Sequence, residues 1–158
     1  MFGFDNGFEA RETTEMNILK REPIFGAVAK LSFGMTAQFL RNPIFIVGCA
    51  RSGTSLLARL VGTHRDVAHW SEANIIWDPV GYPARLENGK GWWQDAETRQ
   101  KEIKAIFGAY QAATRRPRFL NKTPYNTFRI PYLLRMFPDA KFIHIVRDGR
   151  AVAHSYAA

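Results

Sequence analysis

The sequence predicts an α/β domain, a P-loop-like three-layer α/β/α arrangement around a mainly parallel sheet, and three observations lead there. Short apolar runs rich in β-branched residues alternate with amphipathic helical segments across residues 43–158. One of those runs, Ile44 to Gly48, passes through a loop of Gly, Ser and Thr directly into a helix. A second, Lys141 to Val146, ends in Arg147-Asp-Gly-Arg150 and another helix start. Strands joined by covering helices run parallel, because each crossover returns the chain to the same edge of the sheet.

The elements follow in order. Residues 1–42 read as a helical lead-in, with Phe25 to Leu40 carrying the apolar spacing of a covering helix. Pro43 opens the first strand, whose near-continuous apolar run fits a strand buried on both faces. Leu56, Leu57, Leu60 and Val61 recur at helical spacing up to Gly62, predicting a helix with that side against the sheet. Residues 63–95 mix His, Trp, Pro and Gly irregularly and read as surface loops or a lid. A helix follows over Ala96 to Ala113, with Ile103, Ile106, Phe107 and Tyr110 as its apolar stripe. A short strand, Arg118 to Asn121, stops at Lys122-Thr-Pro124, and a helix over Asn126 to Phe137 is ended by Pro138-Asp139. The last strand and its helix complete the pattern. Ala158 falls inside that helix, so the expected domain, residues 43–158, is incomplete at its C-terminal side.

Composition narrows the function classes. The 158 residues, 46% apolar and 23% charged, are those of one globular domain. A net charge of +8 favours polyanionic partners: nucleic acid, anionic membrane surfaces or phosphorylated small molecules. The cations are dispersed, densest at Arg115 to Arg118 and Arg147 to Arg150, which argues against the long basic arm of a duplex-DNA binder. Cys49 is the only cysteine, so no internal disulfide forms, no cysteine zinc site is built, and its place in a tight turn is that of a small residue. The start of the chain lacks the pattern of a secretory signal. Ile24 to Leu40, broken by Lys30, Ser32 and Gln38, falls short of a membrane span, so a cytoplasmic location is expected.

The chemistry concentrates in the first loop. Gly48-Cys-Ala-Arg-Ser-Gly53 has the glycine spacing of a phosphate-binding loop, but Thr54 stands where a nucleotide-hydrolysing loop has lysine. Gly48 and Gly53 permit tight backbone geometry, and the amides of residues 52–55 start a helix, where anions bind. Arg51 forks across two oxygens, and Ser52, Thr54 and Ser55 supply hydroxyls. Arg147 follows a strand, on the side where open α/β sheets bind ligands, and Ser155 lies along the next helix. Arg150 is equally compatible with joining them or with a surface position. Asp148 after an apolar strand invites a magnesium-holding reading, which would suit a P-loop kinase or NTPase.

Taken together, the loop, the following Leu56-Leu-x-x-Leu-Val-Gly-Thr-His-Arg-Asp66, and Phe137-Pro-Asp-Ala-Lys-Phe-Ile-His-Ile-Val-Arg-Asp-Gly-Arg-Ala-Val-Ala-His-Ser155 resemble the two cofactor motifs of a known enzyme family. These are the sulfotransferases that use 3′-phosphoadenosine 5′-phosphosulfate (PAPS), especially the branch holding tyrosylprotein and many bacterial sulfotransferases. The resemblance covers Pro43 to Ser155. It implies that Arg51, Ser52, Gly53, Thr54 and Ser55 hold the 5′-phosphosulfate end of PAPS, and that Arg147 and Ser155 hold its 3′-phosphate. It implies catalytic roles for Glu72 as base, for Lys122 on the bridging oxygen and leaving group, and for Arg51, with Asp148 in a structural turn and no metal.

The implied reaction moves a sulfuryl group to an acceptor hydroxyl or amine, leaving adenosine 3′,5′-bisphosphate. A protein tyrosine, carbohydrate, lipid or small molecule remains open as acceptor, with no specific nucleic acid and no transmembrane segment. His64 and His69 compete with Glu72 as base, since other members of the family use histidine; His144 reads as a core or rim residue of its strand. Trp70, Trp77, Trp92, Trp93 and Tyr110 are candidates for either the core or an acceptor cleft. Many members of the family it resembles close over adenosine with a downstream basic, glycine-rich segment that this sequence lacks. The alternative to an enzyme is therefore a non-catalytic binder of adenosine bisphosphate or another polyanion.

Overall fold

A parallel strand buried on both faces has to find apolar cover above and below, and Ile44 to Gly48 does so at the centre of the domain. The computed structural model describes residues 35–77 and 96–157. Its sheet contains β1 (Ile44–Gly48), β2 (Val67–Trp70), β3 (Arg118–Lys122) and β4 (Lys141–Ile145), in the order β2-β3-β1-β4. All three pairings are parallel: Ile46 lies opposite Lys122 and Ile143, and Trp70 lies opposite Asn121. The helices are α1 (Thr54–Gly62), α2 (Asn74–Trp77), α3 (Ala96–Thr114), α4 (Ile130–Met136) and α5 (Gly149–Ala157). Two 3-10 turns, Ala37–Phe39 and Pro124–Arg129, complete the described elements.

Strand alternation divides the core in two. On one face Phe45, Val47, Ala68, Trp70 and Phe119 meet Ile103, Phe107 and Tyr110 of α3 and Leu133 and Met136 of α4. Rings do much of the filling: Phe107 stands 4.6 Å from Phe119 and 5.7 Å from Trp70, with its side chain fully buried. Burying a ring of that size contributes about 1.5–3 kcal/mol. On the other face Ile46, Val67 and Leu120 meet Leu57, Ala58 and Val61 of α1. Trp70, Trp77 and Tyr110 are therefore core residues, and Trp92 and Trp93 lie outside the described residues.

Four sequence expectations need correction. The irregular stretch after Gly62 contains β2 and the short α2; Val67-Ala-His-Trp70 is buried on both sides, so no polar alternation marks it as a strand. The segment read as one helix from Asn126 is a 3-10 turn over Pro124–Arg129 that passes into α4 at Ile130. Its Pro124 at the start and Pro131 inside the first turn of α4 remove amide donors, which favours that division. Leu56 and Leu60 are 65% and 60% exposed, so the sheet-facing line of α1 is Thr54, Ala58 and Gly62 with Leu57 and Val61 beside it. The small line brings α1 close: a Cβ on Gly62 would lie 2.8 Å from His69 Nδ1. Of the expected helix Phe25 to Leu40, residues 35–40 are described and form a 3-10 turn at Ala37–Phe39 rather than an α-helix, and the rest lies outside the described residues.

The end of β3 is held by a polar knot under the apolar core. Asn121, fully buried, donates from Nδ2 to the Trp70 carbonyl at 2.9 Å. Its Oδ1 accepts from Trp77 Nε1 at 3.2 Å, Asn126 Nδ2 at 3.0 Å and Thr123 Oγ1 at 3.3 Å. One side chain thus ties β2, α2 and the 3-10 turn to β3, and truncating it strands several buried donors at once. Asn121→Ala is expected to lower the unfolding free energy by about 3 kcal/mol, measured as an earlier urea midpoint; an unchanged midpoint would show that the knot contributes nothing.

Candidate active site

The phosphate loop is shaped by backbone that few residues tolerate. Gly48 closes β1 at φ +152°, where a Cβ would stand 2.7 Å from the Ile145 carbonyl oxygen and 3.3 Å from the Thr54 methyl. Gly53, at φ +93°, is left-handed and caps the start of α1. Arg51, between them, also sits in the left-handed region at φ +66°, a conformation a long side chain adopts only at some cost. The Ser52 amide donates to the Cys49 carbonyl at 3.2 Å, closing the turn. Ser52 and Thr54 are buried beneath the loop, whereas Arg51, Gly53 and Ser55 are exposed. Cys49 is exposed as well, so its expected role as a packed small residue holds for the turn but not for burial.

Three of the expected donor-site residues meet in space. Arg51 Nε donates to both the carbonyl and the hydroxyl oxygen of Ser155, each at 3.1 Å. Arg147 Nη1 donates to the Arg51 carbonyl at 2.7 Å. These contacts couple the loop to β4 and α5 while leaving the Nη groups of Arg51 available to an anion. Asp148 accepts from the Arg150 amide at 2.8 Å and pairs with the Arg150 guanidinium at 2.8 Å. That places Asp148 as the cap of α5, its carboxyl held below the usual range by Arg150. Arg150 thus pairs within the turn while its side chain stays exposed.

Beside the loop lies an ion pair. Lys122, at the end of β3, is 1% exposed, and its Nζ donates in a short contact to Oε1 of Glu72, which follows β2 and is about half exposed. An ammonium this deep needs a counter-charge, and among the described residues Glu72 supplies it. Read along the sheet, the C-terminal strand ends present Glu72 after β2, Lys122 on β3, the loop after β1 and Arg147 after β4. Every strand contributes to one edge, the edge where parallel sheets bind ligands.

The four histidines differ in burial. His69 is buried under α1, and burial first, then the charges of Lys122 and Arg59, lowers its pKa from 6.5 to about 4. His64 and His154 are exposed, and His144 is exposed on β4, so it is no core residue. Sequence reasoning missed Thr127, whose Oγ1 accepts from the Gly48 amide at 2.9 Å and donates to the Gly48 carbonyl at 3.1 Å. It also missed the Asn121 and Asn126 knot. The available signal was the polar cluster Asn121 to Thr127 between two apolar segments, dense for a mere connection. Among the described residues no group of three or more His, Cys, Asp or Glu is placed to hold a metal ion, and no helix is long and apolar enough to cross a membrane.

Residues 43–158, which contain this whole edge, match the model of the sulfotransferase family. The chain belongs to the sulfotransferase family. Its sulfotransferase domain is 32% identical over 127 residues to human protein-tyrosine sulfotransferase 1, covering 71% of this chain and 33% of that protein. Zebrafish protein-tyrosine sulfotransferase 1 is 31% identical over 148 residues, covering 82% and 40%. The chain thus spans well under half the length of these relatives. Among solved structures, sulfotransferase STF9 from Mycobacterium avium shares the fold at a TM-score of 0.50 and 15% identity, covering 74% of this chain and 45% of that one.

His69 gives the sulfotransferase domain a defined acid response. The unfolded chain protonates this imidazole near pH 6.5 and the folded chain only near 4. The unfolded state therefore binds more protons between those values, and stability is full above pH 6.5 and falls as pH drops toward 4. The loss attributable to His69 reaches about 3 kcal/mol. Urea unfolding at pH 7 and pH 4.5 is expected to show a smaller drop in His69→Gln than in the wild type; equal drops would remove His69 from the account.

Proposed function

We propose that this domain transfers a sulfuryl group from PAPS to an acceptor hydroxyl or amine. The observation that carries the reading is the convergence of Arg51, Arg147 and Ser155 on the phosphate loop, next to the Lys122–Glu72 pair. A donor with a phosphosulfate at one end and a separate 3′-phosphate asks for two anion contacts on one edge. The loop amides, Ser55 and the Arg51 Nη groups suit the first, and Arg147 with Ser155 suits the second. Thr54 in place of the loop lysine favours this donor over the triphosphate of a P-loop kinase or NTPase.

The chemistry follows from the charges. The acceptor oxygen or nitrogen attacks sulfur as its proton passes to the Glu72 carboxylate. The bond from sulfur to the bridging oxygen breaks, and its electron pair stays on the departing phosphate. Lys122 and Arg51 stabilise that developing negative charge. Lys122 is held by Glu72 in the structure, so turning toward the bridging oxygen also releases Glu72 to act as base. Of the acceptor classes, the names of the relatives favour a tyrosine hydroxyl on a protein.

Calorimetric titration with adenosine 3′,5′-bisphosphate, without added magnesium, tests the reading. Saturable binding is expected, weakened about tenfold or more in both Arg51→Ala and Arg147→Ala, since each loses a charge-assisted contact to phosphate. A folded wild type that fails to bind, or that binds ATP with magnesium in preference, would overturn it.

A further inference from the structure

We infer that Thr127 is a positioning residue that completes the sheet at the mouth of the phosphate loop and so sets the loop against Lys122. In a parallel strand, alternate residues turn both backbone groups toward the same neighbour. On β1 the pairing with β3 runs from Ile44 to Ile46, whose partner is Lys122. Gly48, two residues on, has no partner on β3, because the chain leaves the ladder there for the 3-10 turn at Pro124 and the Thr123 carbonyl accepts from the Asn126 amide at 2.9 Å instead. On its other side Gly48 is in register with Ile145 of β4.

The Thr127 hydroxyl fills the missing position. It accepts from the Gly48 amide at 2.9 Å and donates to the Gly48 carbonyl at 3.1 Å, so one oxygen performs both halves of a ladder contact. Thr127 is itself held, because it lies in the 3-10 turn whose Asn126 donates to Asn121, the neighbour of Lys122. A rigid bracket therefore runs from the lysine to the first glycine of the loop. Gly48 cannot be secured by side-chain packing, having none, and at φ +152° it has backbone freedom to lose. Without the hydroxyl, the Gly48 amide and carbonyl lose their ladder contact and the loop loses its fixed origin.

The functional consequence rests on the donor-binding reading above; the structural one does not, and two readouts separate them. Thr127→Val keeps the branched shape and removes the hydroxyl, while Thr127→Ser keeps the hydroxyl. Hydrogen exchange in the unliganded chain is expected to speed up in Thr127→Val at Gly48 to Gly53, leave the amides of α3 unchanged, and return to wild-type rates in Thr127→Ser. Adenosine 3′,5′-bisphosphate is expected to bind Thr127→Val about tenfold more weakly than wild type and Thr127→Ser nearly as well as wild type, the loss of two modest hydrogen bonds. Unchanged exchange at the loop in Thr127→Val overturns the bracket, whatever the ligand does. Altered exchange with wild-type binding of the bisphosphate overturns its role in positioning. If the wild type binds no bisphosphate, the donor reading fails and the exchange result still decides the bracket.

Discussion

A buried ammonium is the constraint around which this domain is arranged. Lys122 lies at the end of a central strand with almost no contact with water, and among the described residues the carboxylate of Glu72 offsets the cost of placing it there. For that pairing to exist, β2 must neighbour β3, the chain after β2 must turn back over the sheet edge, and Asn121 must hold the strand end in register. The apolar core supplies the bulk of the stability on both faces of the sheet. The ion pair supplies a reason for the edge to take this form rather than close over with apolar residues, and it leaves a charged group on the strand beside the glycine loop.

The edge works as one unit because its parts share partners. Arg147 secures Arg51 through the backbone, Arg51 secures Ser155, and Thr127 secures Gly48, so the loop is held from β4, α5 and the 3-10 turn together. Left-handed backbone at Arg51 and Gly53 is tolerated where so many contacts determine the geometry. Such pre-set donors suit catalysis, since they need no reorganisation when negative charge develops on a leaving group.

Much of this was legible in the sequence, for identifiable reasons. The Gly48 to Gly53 spacing, the apolar runs at Ile44 and Lys141, and the stripe from Ile103 to Tyr110 each carry a local signal, and each forms the expected element. The candidates Arg51, Lys122, Arg147 and Ser155 could be named because their motifs are contiguous, and the structure brings them to the C-terminal ends of the strands. What stayed hidden depends on distance along the chain. β2 is four residues long and buried on both faces, so it shows neither alternation nor length. The contact of Thr127 with Gly48 spans 79 residues, and that of Lys122 with Glu72 spans 50. The leucines of α1 show the opposite error: Leu56 and Leu60 have helical spacing yet face outward, because Ala58 and Gly62 let the helix approach the sheet more closely on another line.

The central claim, sulfuryl transfer at this edge, is tested most directly by following labelled sulfate from PAPS to a tyrosine-containing peptide in wild type and Glu72→Gln. The account predicts transfer by the wild type, and a rate reduced about a hundredfold or more in the variant, the usual contribution of a general base. Transfer that is equally fast in the variant would remove Glu72 from the chemistry, and a folded, bisphosphate-binding wild type that moves no label to any hydroxyl or amine offered would contradict the assignment of catalysis to this chain.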